Sequence, residues 1–491
     1  MKLDQLINSI QVVSITGVPD FKEISNITNN SAEVNGESIF IAIKGFKTDG
    51  RRFISDAISN GAKAVVMEED GETPDALFSQ NDVVKIVVSN SRKTFAELSC
   101  TLYENPSREL KLIGITGSNG KTTTAFYVKN ILETAGYKTG LLGTISNYVG
   151  KEKIESTLTT PESNKINQYM REMVEADFTY CVMEVSSHAL ALGRVHGLDF
   201  DYAIFTNITS DHLDFHSDFN NYLESKKILF DSIKTNGKII FNKDDEHWEE
   251  LLKDNQHDLH SYGMDKEVDF SISNVDFDLD GTSFDLTSSN NSNHMNTELV
   301  GRFNAYNAAA ASAIGLLEGF NAETVIDGIK TTPPVPGRFE VFGSGSKKVI
   351  VDYSHTADSL QKALESIHHI VKGNRRIHTV FGCGGDRDTY KRPIVGKIAG
   401  ELSDEIYVTS DNPRSEDPLK IIEDIMTGIE GKVAVINPDR EEAIKTAICN
   451  SEENAVILIA GKGHEDYQII NGEKSHFSDK ETAIKYLEKC K

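Results

Sequence analysis

The chain lacks any apolar run approaching the ~18 residues that a membrane-spanning helix needs. Its start, Met1-Lys2-Leu3-Asp4-Gln5-Leu6, has no signal-peptide pattern. Cysteine is scarce: Cys100, Cys181, Cys383, Cys449 and Cys490 are odd in number and widely spaced, matching neither a disulfide framework nor a zinc signature. A cytoplasmic location is the expectation. Positive charge is also short, with 51 Lys and Arg against 75 Asp and Glu, a net charge of −24. That balance argues against nucleic acid and against an anionic membrane surface as partners. No short-period repeat occurs. What remains suits a globular protein of about three domains at ~150 residues each.

In an acidic chain, anion-binding loops stand out. Ile113-Gly114-Ile115-Thr116-Gly117-Ser118-Asn119-Gly120-Lys121-Thr122-Thr123-Thr124 reads as an apolar strand, a Gly-rich turn and a helix start. It is a phosphate cradle: backbone N–H groups surround the anion, Lys121 adds charge, and the Thr122 hydroxyl can reach Mg²⁺. The strict P-loop pattern wants glycine at 115, where Ile stands, with glycines at 114 and 117. ATP use is expected, from residues 114–123, though the loop does not say what the ATP is for.

Three segments follow from punctuation. Residues 1–107 interleave short strands (38–43, 64–67, 83–88) with helical patterns such as 53–59, ending at Glu104-Asn105-Pro106-Ser107. Residues 108–333 alternate helices with strands (180–185, 202–206, 238–241), the rhythm of a mostly parallel sheet. There, alternation from Phe270 to Leu286 about Asp280-Gly281 predicts a β-hairpin, and the polar run 288–293 reads as a solvated loop. Pro333-Pro334-Val335-Pro336-Gly337 holds three of the 11 prolines and makes a stiff linker. Residues 334–491 form a second doubly wound unit (strands 348–351, 378–381, 405–409, 433–435, 455–459) without its own P-loop. The expected fold class is α/β with three domains: a central P-loop mononucleotide-binding parallel sheet and a C-terminal Rossmann-like sheet.

Glu184 ends an apolar strand beside the P-loop, a position suited to holding Mg²⁺, or equally to capping a strand at the surface. Asp211-His212-Leu213-Asp214-Phe215-His216 concentrates two His and two Asp in six residues and opens a helix predicted to run on through Tyr222 to Ile233. Alone it is ambiguous, since helix starts favour Asp and surfaces tolerate His. Lys226, about four turns beyond His212 on that helix, reads from composition as a solvated lysine.

Together with Pro336-Gly337-Arg338-Phe339-Glu340, Gly382-Cys383-Gly384-Gly385-Asp386-Arg387-Asp388, Asp411-Asn412-Pro413-Arg414 and Gly461-Lys462-Gly463-His464-Glu465, these motifs resemble, in order and over the whole length, the Mur ligases of peptidoglycan synthesis. The diaminopimelate-adding branch is the most similar. The resemblance implies a first domain for a uridine nucleotide, a central ATPase domain and a third for the incoming amino acid. ATP would convert the carboxylate of UDP-MurNAc-L-Ala-D-Glu to an acyl phosphate that meso-2,6-diaminopimelate attacks, with the enzyme expected to act as a monomer. It assigns catalysis to Lys121, Glu184, His212 and Lys226, and Mg²⁺ to Thr122, Glu184, His212 and Lys226, the last as a carbamate. A neutral amine is needed for that, which burial favours.

The resemblance also implies ATP contacts at Asn304, Asn307, Arg338 and Asp352, and UDP-substrate contacts at Ser31, Phe46, Lys47, Thr48, Thr159, Thr160, Ser186 and Arg194. Ser31 stands between Asn30 and Ala32 where the family commonly has Asp and Arg, Leu192 replaces a Gln found in some relatives, and Ala357 replaces a usual proline. Arg387, Asp411, Asn412, Pro413, Arg414, Gly461 and Glu465 match the amino-acid site. Diaminopimelate is lysine with an added distal carboxylate, so a cation is required there, and Arg414 supplies it. Lysine would leave Arg414 unpaired, costing roughly 10⁴-fold in discrimination. Standing alone, Asp-Asn-Pro-Arg would be a plain turn. Two other classes stay open: a folylpolyglutamate-type ligase, and a nucleotide-gated binding protein that hydrolyses ATP slowly.

Overall fold

The computed structural model describes residues 1–490 apart from 46–47, 69–72, 151, 210, 266 and 344, with the Asp214 side chain also left aside. Three large sheets follow one another along the chain, of five, eleven and six strands. The first is parallel in three pairings and takes the strand Ser14–Thr16 antiparallel at its edge. The second is parallel at its centre, where Lys111–Thr116 lies between Tyr180–Glu184 and Phe200–Phe205, and antiparallel at both ends. The third is parallel except for the edge strand Glu340–Phe342. Among the described residues no helix is long and apolar enough to cross a membrane.

The central strands are apolar on both faces because helices cover both. Tyr180 and Val182 join the cluster under Lys121–Thr134 and Arg302–Leu317, while Cys181 and Met183 join the cluster under Ser163–Glu175 and Phe219–Asp231. This is the period of two that a strand imposes. Ala305, Ala308, Ala309, Ala310, Ala311 and Ala313 are all fully buried, and their small side chains let helix Arg302–Leu317 pack close to Lys121–Thr134. In the third sheet, parallel pairing puts the carboxyl ends of Lys348–Asp352, Val456–Ala460, Ile377–Phe381 and Glu405–Val408 on one edge, where open α/β sheets bind ligands.

The hairpin about Asp280-Gly281 forms between Phe270–Phe277 and Thr282–Ser288. Three expectations need correction. The polar run 288–293 is not a loop: only Ser289 and Asn290 turn, both at positive φ, and Asn291–Thr297 adds an edge strand whose polar side chains, the buried Thr297 apart, face outward. The helix expected from His212 through Ile233 is broken into Leu213–His216 and Phe219–Asp231, because Ser217 takes φ 71° and Asp218 caps Asn221 N at 2.8 Å. Ile233 starts the next strand. Finally, Cys449 and Cys490 form a disulfide across 41 residues of sequence, since the helices Arg440–Asn450 and Asp479–Lys489 pack side by side.

Those two helices are also tied by an ion pair with no solvent exposure. Arg440 Nε and Nη2 donate to the Asp479 carboxylate at 2.7 Å each, and its other N–H groups donate to the carbonyls of Ser410 and Ala460 at 3.1 and 3.0 Å. Removing one member strands the other, so Arg440→Met is expected to cost about 3–5 kcal/mol in urea denaturation. Arg440→Met with Asp479→Leu should cost less than Arg440→Met alone. A double variant as unstable as the sum of its singles would show that the pair acts independently.

Candidate active site

The P-loop turn occupies residues 117–120, between the strand Lys111–Thr116 and the helix Lys121–Thr134. Gly114, Ile115 and Thr116 are strand residues, which is why Ile is accommodated at 115: its side chain is fully buried in the core. Two loop glycines are sterically required. A Cβ on Gly117 (φ 151°) would lie 1.8 Å from Thr206 Oγ1, and one on Gly120 (φ 89°) would lie 2.4 Å from Asn307 Oδ1. Asn307 and Asn304, joined at 3.1 Å, thus stand directly behind the loop.

Lys121 Nζ donates to the carbonyls of Gly117 and Ser118 at 2.7 and 2.9 Å, inside the turn it caps. Desolvation lowers its pKa, against the pull of Glu184. Ser118 Oγ bonds Tyr222 at 2.8 Å and Asn119 N donates to Asn207 Oδ1 at 3.0 Å, while the Thr123 side chain is buried.

Parallel pairing of Glu184 with Ile115 brings that carboxylate beside the loop. Glu184 is fully buried and accepts three hydrogen bonds: Thr122 Oγ1 at 2.8 Å, Thr144 N at 2.8 Å and Thr144 Oγ1 at 2.9 Å. It is therefore no surface cap. Thr144 belongs to no recognised motif. Its only signal in the sequence is Gly143 before it, where a Cβ would meet Glu184 Oε1 at 2.3 Å.

Lys226 is 1% exposed, with Nζ 4.5 Å from the centre of the Tyr222 ring. Its pKa is held well below the usual lysine value by burial first and by the positive charge of Lys121 second, with Asp211 opposing. The solvated reading of Lys226 from composition is thereby corrected: the short helix break turns this face of Phe219–Asp231 inward. His212, at φ 55°, stacks edge-on to His188 at 4.7 Å and lies 3.4 Å from Asp211. Surrounding protein lowers its pKa, leaving a neutral imidazole able to ligate.

The third sheet closes this centre. Arg338 Nη2 donates to Thr122 Oγ1 at 3.1 Å, and Asn119 Nδ2 donates to Asp358 Oδ2 at 3.1 Å. Asp352 accepts Phe339 N at 2.7 Å and the Ser354 hydroxyl, fixing the turn that carries Arg338.

Beyond the end of Tyr180–Glu184, Thr160 Oγ1 donates to Glu184 O at 2.8 Å and accepts from Ser186 N at 3.0 Å. Thr159 Oγ1 accepts from Thr144 at 3.2 Å. Arg194 donates to Thr160 O at 3.1 Å and pairs with Glu162 at 2.9 Å. In the first segment Ser31 opens the 3-10 turn Ser31–Glu33 and Thr48 sits on a loop; Ser31 O accepts from Asn60 and Thr48 O from Gly45. Asn30 does the capping expected of an Asp there, accepting Ala32 N at 3.1 Å. Phe46 and Lys47 lie outside the described residues.

A second cluster forms at the carboxyl edge of the third sheet. Asn412 Nδ2 donates to Glu465 Oε2 at 2.9 Å. Gly461 (φ 119°) leaves room for Asp411, whose Oδ2 would otherwise lie 2.7 Å from a Cβ. Arg414 takes φ 53° and its Nη1 donates to Gly385 O at 2.8 Å, while Pro413 O packs on Gly385. Arg414 and Arg387 both border Gly384. This cluster adjoins the first through Tyr353, which lies under Arg338 at 4.6 Å and against His464 at 5.2 Å.

Comparison with known proteins decides the family. Residues 23–103 match the model described as the Mur ligase family catalytic domain, 115–315 the Mur ligase middle domain, and 337–463 the Mur ligase glutamate ligase domain. A Clostridium botulinum protein named UDP-N-acetylmuramoyl-L-alanyl-D-glutamate–2,6-diaminopimelate ligase is 44% identical over 98% of both chains. The chain is a Mur ligase. A Bacillus cereus relative of the same name is 41% identical, again over 98% of both chains. A solved structure of an enzyme so named superposes with a TM-score of 0.69 at 28% identity, covering 100% of this chain and 99% of its own. The fold is also shared by MurF of Thermotoga maritima, solved with ADP, at a TM-score of 0.64 and 18% identity over 95% and 97% of the two chains.

In this Mur ligase, Thr144→Val removes one of the three bonds to the buried Glu184 carboxylate. Hydrogen bonds to charged groups are worth about 1.5–3 kcal/mol, so the melting temperature should fall, and turnover should fall about 10–100-fold where the same bond is needed in the transition state. Steady-state phosphate release checks this; a loss below about twofold would remove Thr144 from the machinery.

Proposed function

We propose that this Mur ligase joins meso-2,6-diaminopimelate to the D-glutamate of UDP-MurNAc-L-Ala-D-Glu, using ATP, in the cytoplasmic assembly of peptidoglycan precursors. The observation carrying this reading is the junction of two clusters. A phosphate-binding loop with a buried carboxylate, Lys121 and the buried Lys226 adjoins the Asp411–Asn412–Arg414–Glu465 cluster through Arg338, Tyr353 and His464. Residues 1–107 would hold the uridine end, 108–333 the ATP and 334–491 the amino acid.

The chemistry follows. A carboxylate oxygen of D-glutamate attacks the γ-phosphorus of ATP, expelling ADP and forming an acyl phosphate. The free amine of diaminopimelate then attacks the acyl carbon, and the tetrahedral adduct loses phosphate and a proton to leave the amide. Lys121 supports the first step by offsetting charge between two anions. Arg338, fixed by the Asp352 turn, brings a second cation from the other sheet. Arg194 suits the anionic substrate, since guanidinium grips phosphate or carboxylate in pairs of bonds. Arg414 and Arg387 suit the carboxylates of the amino acid, and Asp411 and Glu465 its ammonium.

The donor set fits Mg²⁺. This ion takes one or two carboxylates and fills its shell with water and phosphate oxygens, and the buried Glu184 carboxylate stands 2.8 Å from the Thr122 hydroxyl at the head of the phosphate loop. Thr122 and Glu184 would hold one ion, and His212 with a Lys226 carbamate another. When bound, the ions would screen the repulsion between carboxylate and phosphate. Carbamate formation needs the neutral Lys226 amine, whose nitrogen attacks CO₂ and loses a proton.

Phosphate release from ATP should require both UDP-MurNAc-L-Ala-D-Glu and meso-diaminopimelate. Release indifferent to either would overturn the ligase reading. Separately, Lys226→Ala should lose most turnover and regain part of it with added short carboxylates such as acetate or formate. A variant as active as the parent would exclude the carbamate.

A further inference from the structure

Lys462 is a buried ammonium inside the amino-acid cluster, with no part in the chemistry above. It is 0% exposed, and its Nζ donates to Glu465 Oε2 at 3.1 Å and Asn412 Oδ1 at 3.3 Å. Asp411 Oδ1 lies 4.0 Å away, and the Tyr467 ring centre 5.3 Å. The backbone is shaped to aim it inward: Gly461 at φ 119° and Gly463 at φ 54° flank it, and Glu465 N donates to its carbonyl at 3.0 Å. A Cβ on Gly463 would meet Gly337 O and Tyr353 Cβ, each at 2.7 Å.

Burying an ammonium is unfavourable unless its partners offset the lost hydration. A structural filler at this place would more cheaply be apolar. What the charge does is visible in a count. Asp411 and Glu465 carry two negative charges, and Lys462 between them cancels one, leaving a net charge of −1 toward the pocket. That matches one ammonium. Without Lys462 the pair would attract a more cationic amino acid and repel a carboxylate nearby. Diaminopimelate and lysine differ by one carboxylate, so lysine carries one more net positive charge.

We propose that Lys462 is a specificity-determining residue: it sets the charge of the Asp411–Glu465 pair and so favours an amino acid with a distal carboxylate over lysine. It acts through those side chains, alongside direct pairing by Arg414, and it rests on the diaminopimelate reading. A unit charge a few ångströms away in a partly desolvated pocket changes relative binding by about tenfold or more.

The test compares phosphate release by the full-length chain with meso-diaminopimelate and with lysine, ATP and UDP-MurNAc-L-Ala-D-Glu being saturating. Lys462→Met keeps the length of the stem and removes the charge; the ratio of kcat/KM for diaminopimelate to that for lysine should fall about tenfold or more, mainly through KM for diaminopimelate. KM for ATP should hold. Lys462→Arg should keep the ratio near that of the parent, and Lys462→Met with Glu465→Gln should move it back toward the parent. A ratio unchanged in Lys462→Met, or a double variant no nearer the parent than the single, overturns the inference and leaves the ligase reading intact. A parent enzyme that ignores diaminopimelate overturns both. Should Lys462→Met fail to fold, Glu465→Gln decides: its preference for diaminopimelate over lysine must rise, and a fall overturns the inference.

Discussion

Glu184 is a carboxylate without solvent. Removing such a group from water costs several kcal/mol after relaxation, and three hydrogen bonds at about 1.5–3 kcal/mol each offset it. Those bonds come from the first turn of the P-loop helix and from the loop after the neighbouring strand. The carboxylate can keep them only while the strands Lys111–Thr116, Tyr180–Glu184 and Thr139–Leu142 stay in parallel register. The rest of the centre depends on that register. Thr122, which donates to Glu184, also accepts Arg338 from the third sheet, so one hydroxyl joins the carboxylate, the loop and the far sheet.

Around Glu184 the protein gathers cationic groups that its acidic composition makes scarce elsewhere. Lys121 lies within electrostatic reach of Arg338, and Lys226 within reach of Lys121, with Asp211 opposing at both and Glu184 at Lys121. Burial and a neighbouring cation act in the same direction on the two amines, Arg338 on Lys121 and Lys121 on Lys226. The distribution matters more than the net charge of −24. A surface acidic overall discourages random polyanions, while one crowded, partly dry centre attracts a nucleotide triphosphate.

Much of this was legible in the sequence because it rests on local pattern. Short apolar runs placed ten of the eleven strands read from them to within two residues, while Thr139–Leu142 and other short strands went unread, and the loop 117–120 declared itself by spacing. Long-range packing was not legible. Lys226 has an ordinary helical neighbourhood; only the break at Ser217 and the approach of helix Phe219–Asp231 to the P-loop bury it. Thr144 carries no motif, since its task arises from strand pairing. The strand Asn291–Thr297 was hidden because an edge strand with one wet face needs little apolar sequence. Cys449 and Cys490 look unrelated until two helices pack. Lys462 lay within a recognised motif, yet its burial between carboxylates is a tertiary fact.

The two clusters are held at a fixed distance by backbone, not by side chains alone. A Cβ on Gly337 would lie 2.1 Å from His464 N, so the loop that enters the third sheet touches the loop that leaves Val456–Ala460 main chain to main chain. Arg338 is the next residue after Gly337, and Lys462 and Glu465 flank the other side of the contact. Any movement of the Gly337–Arg338 backbone therefore carries Lys462 and Glu465 with it. Tyr353, packed between Arg338 and His464, fills the gap that a looser contact would leave. A reactive acyl phosphate is exposed to water for as long as the amine is misplaced. With the roles proposed above, carrying Arg338 and Glu465 on abutting loops would remove one independent motion from that alignment, which is where positional precision has most effect on rate.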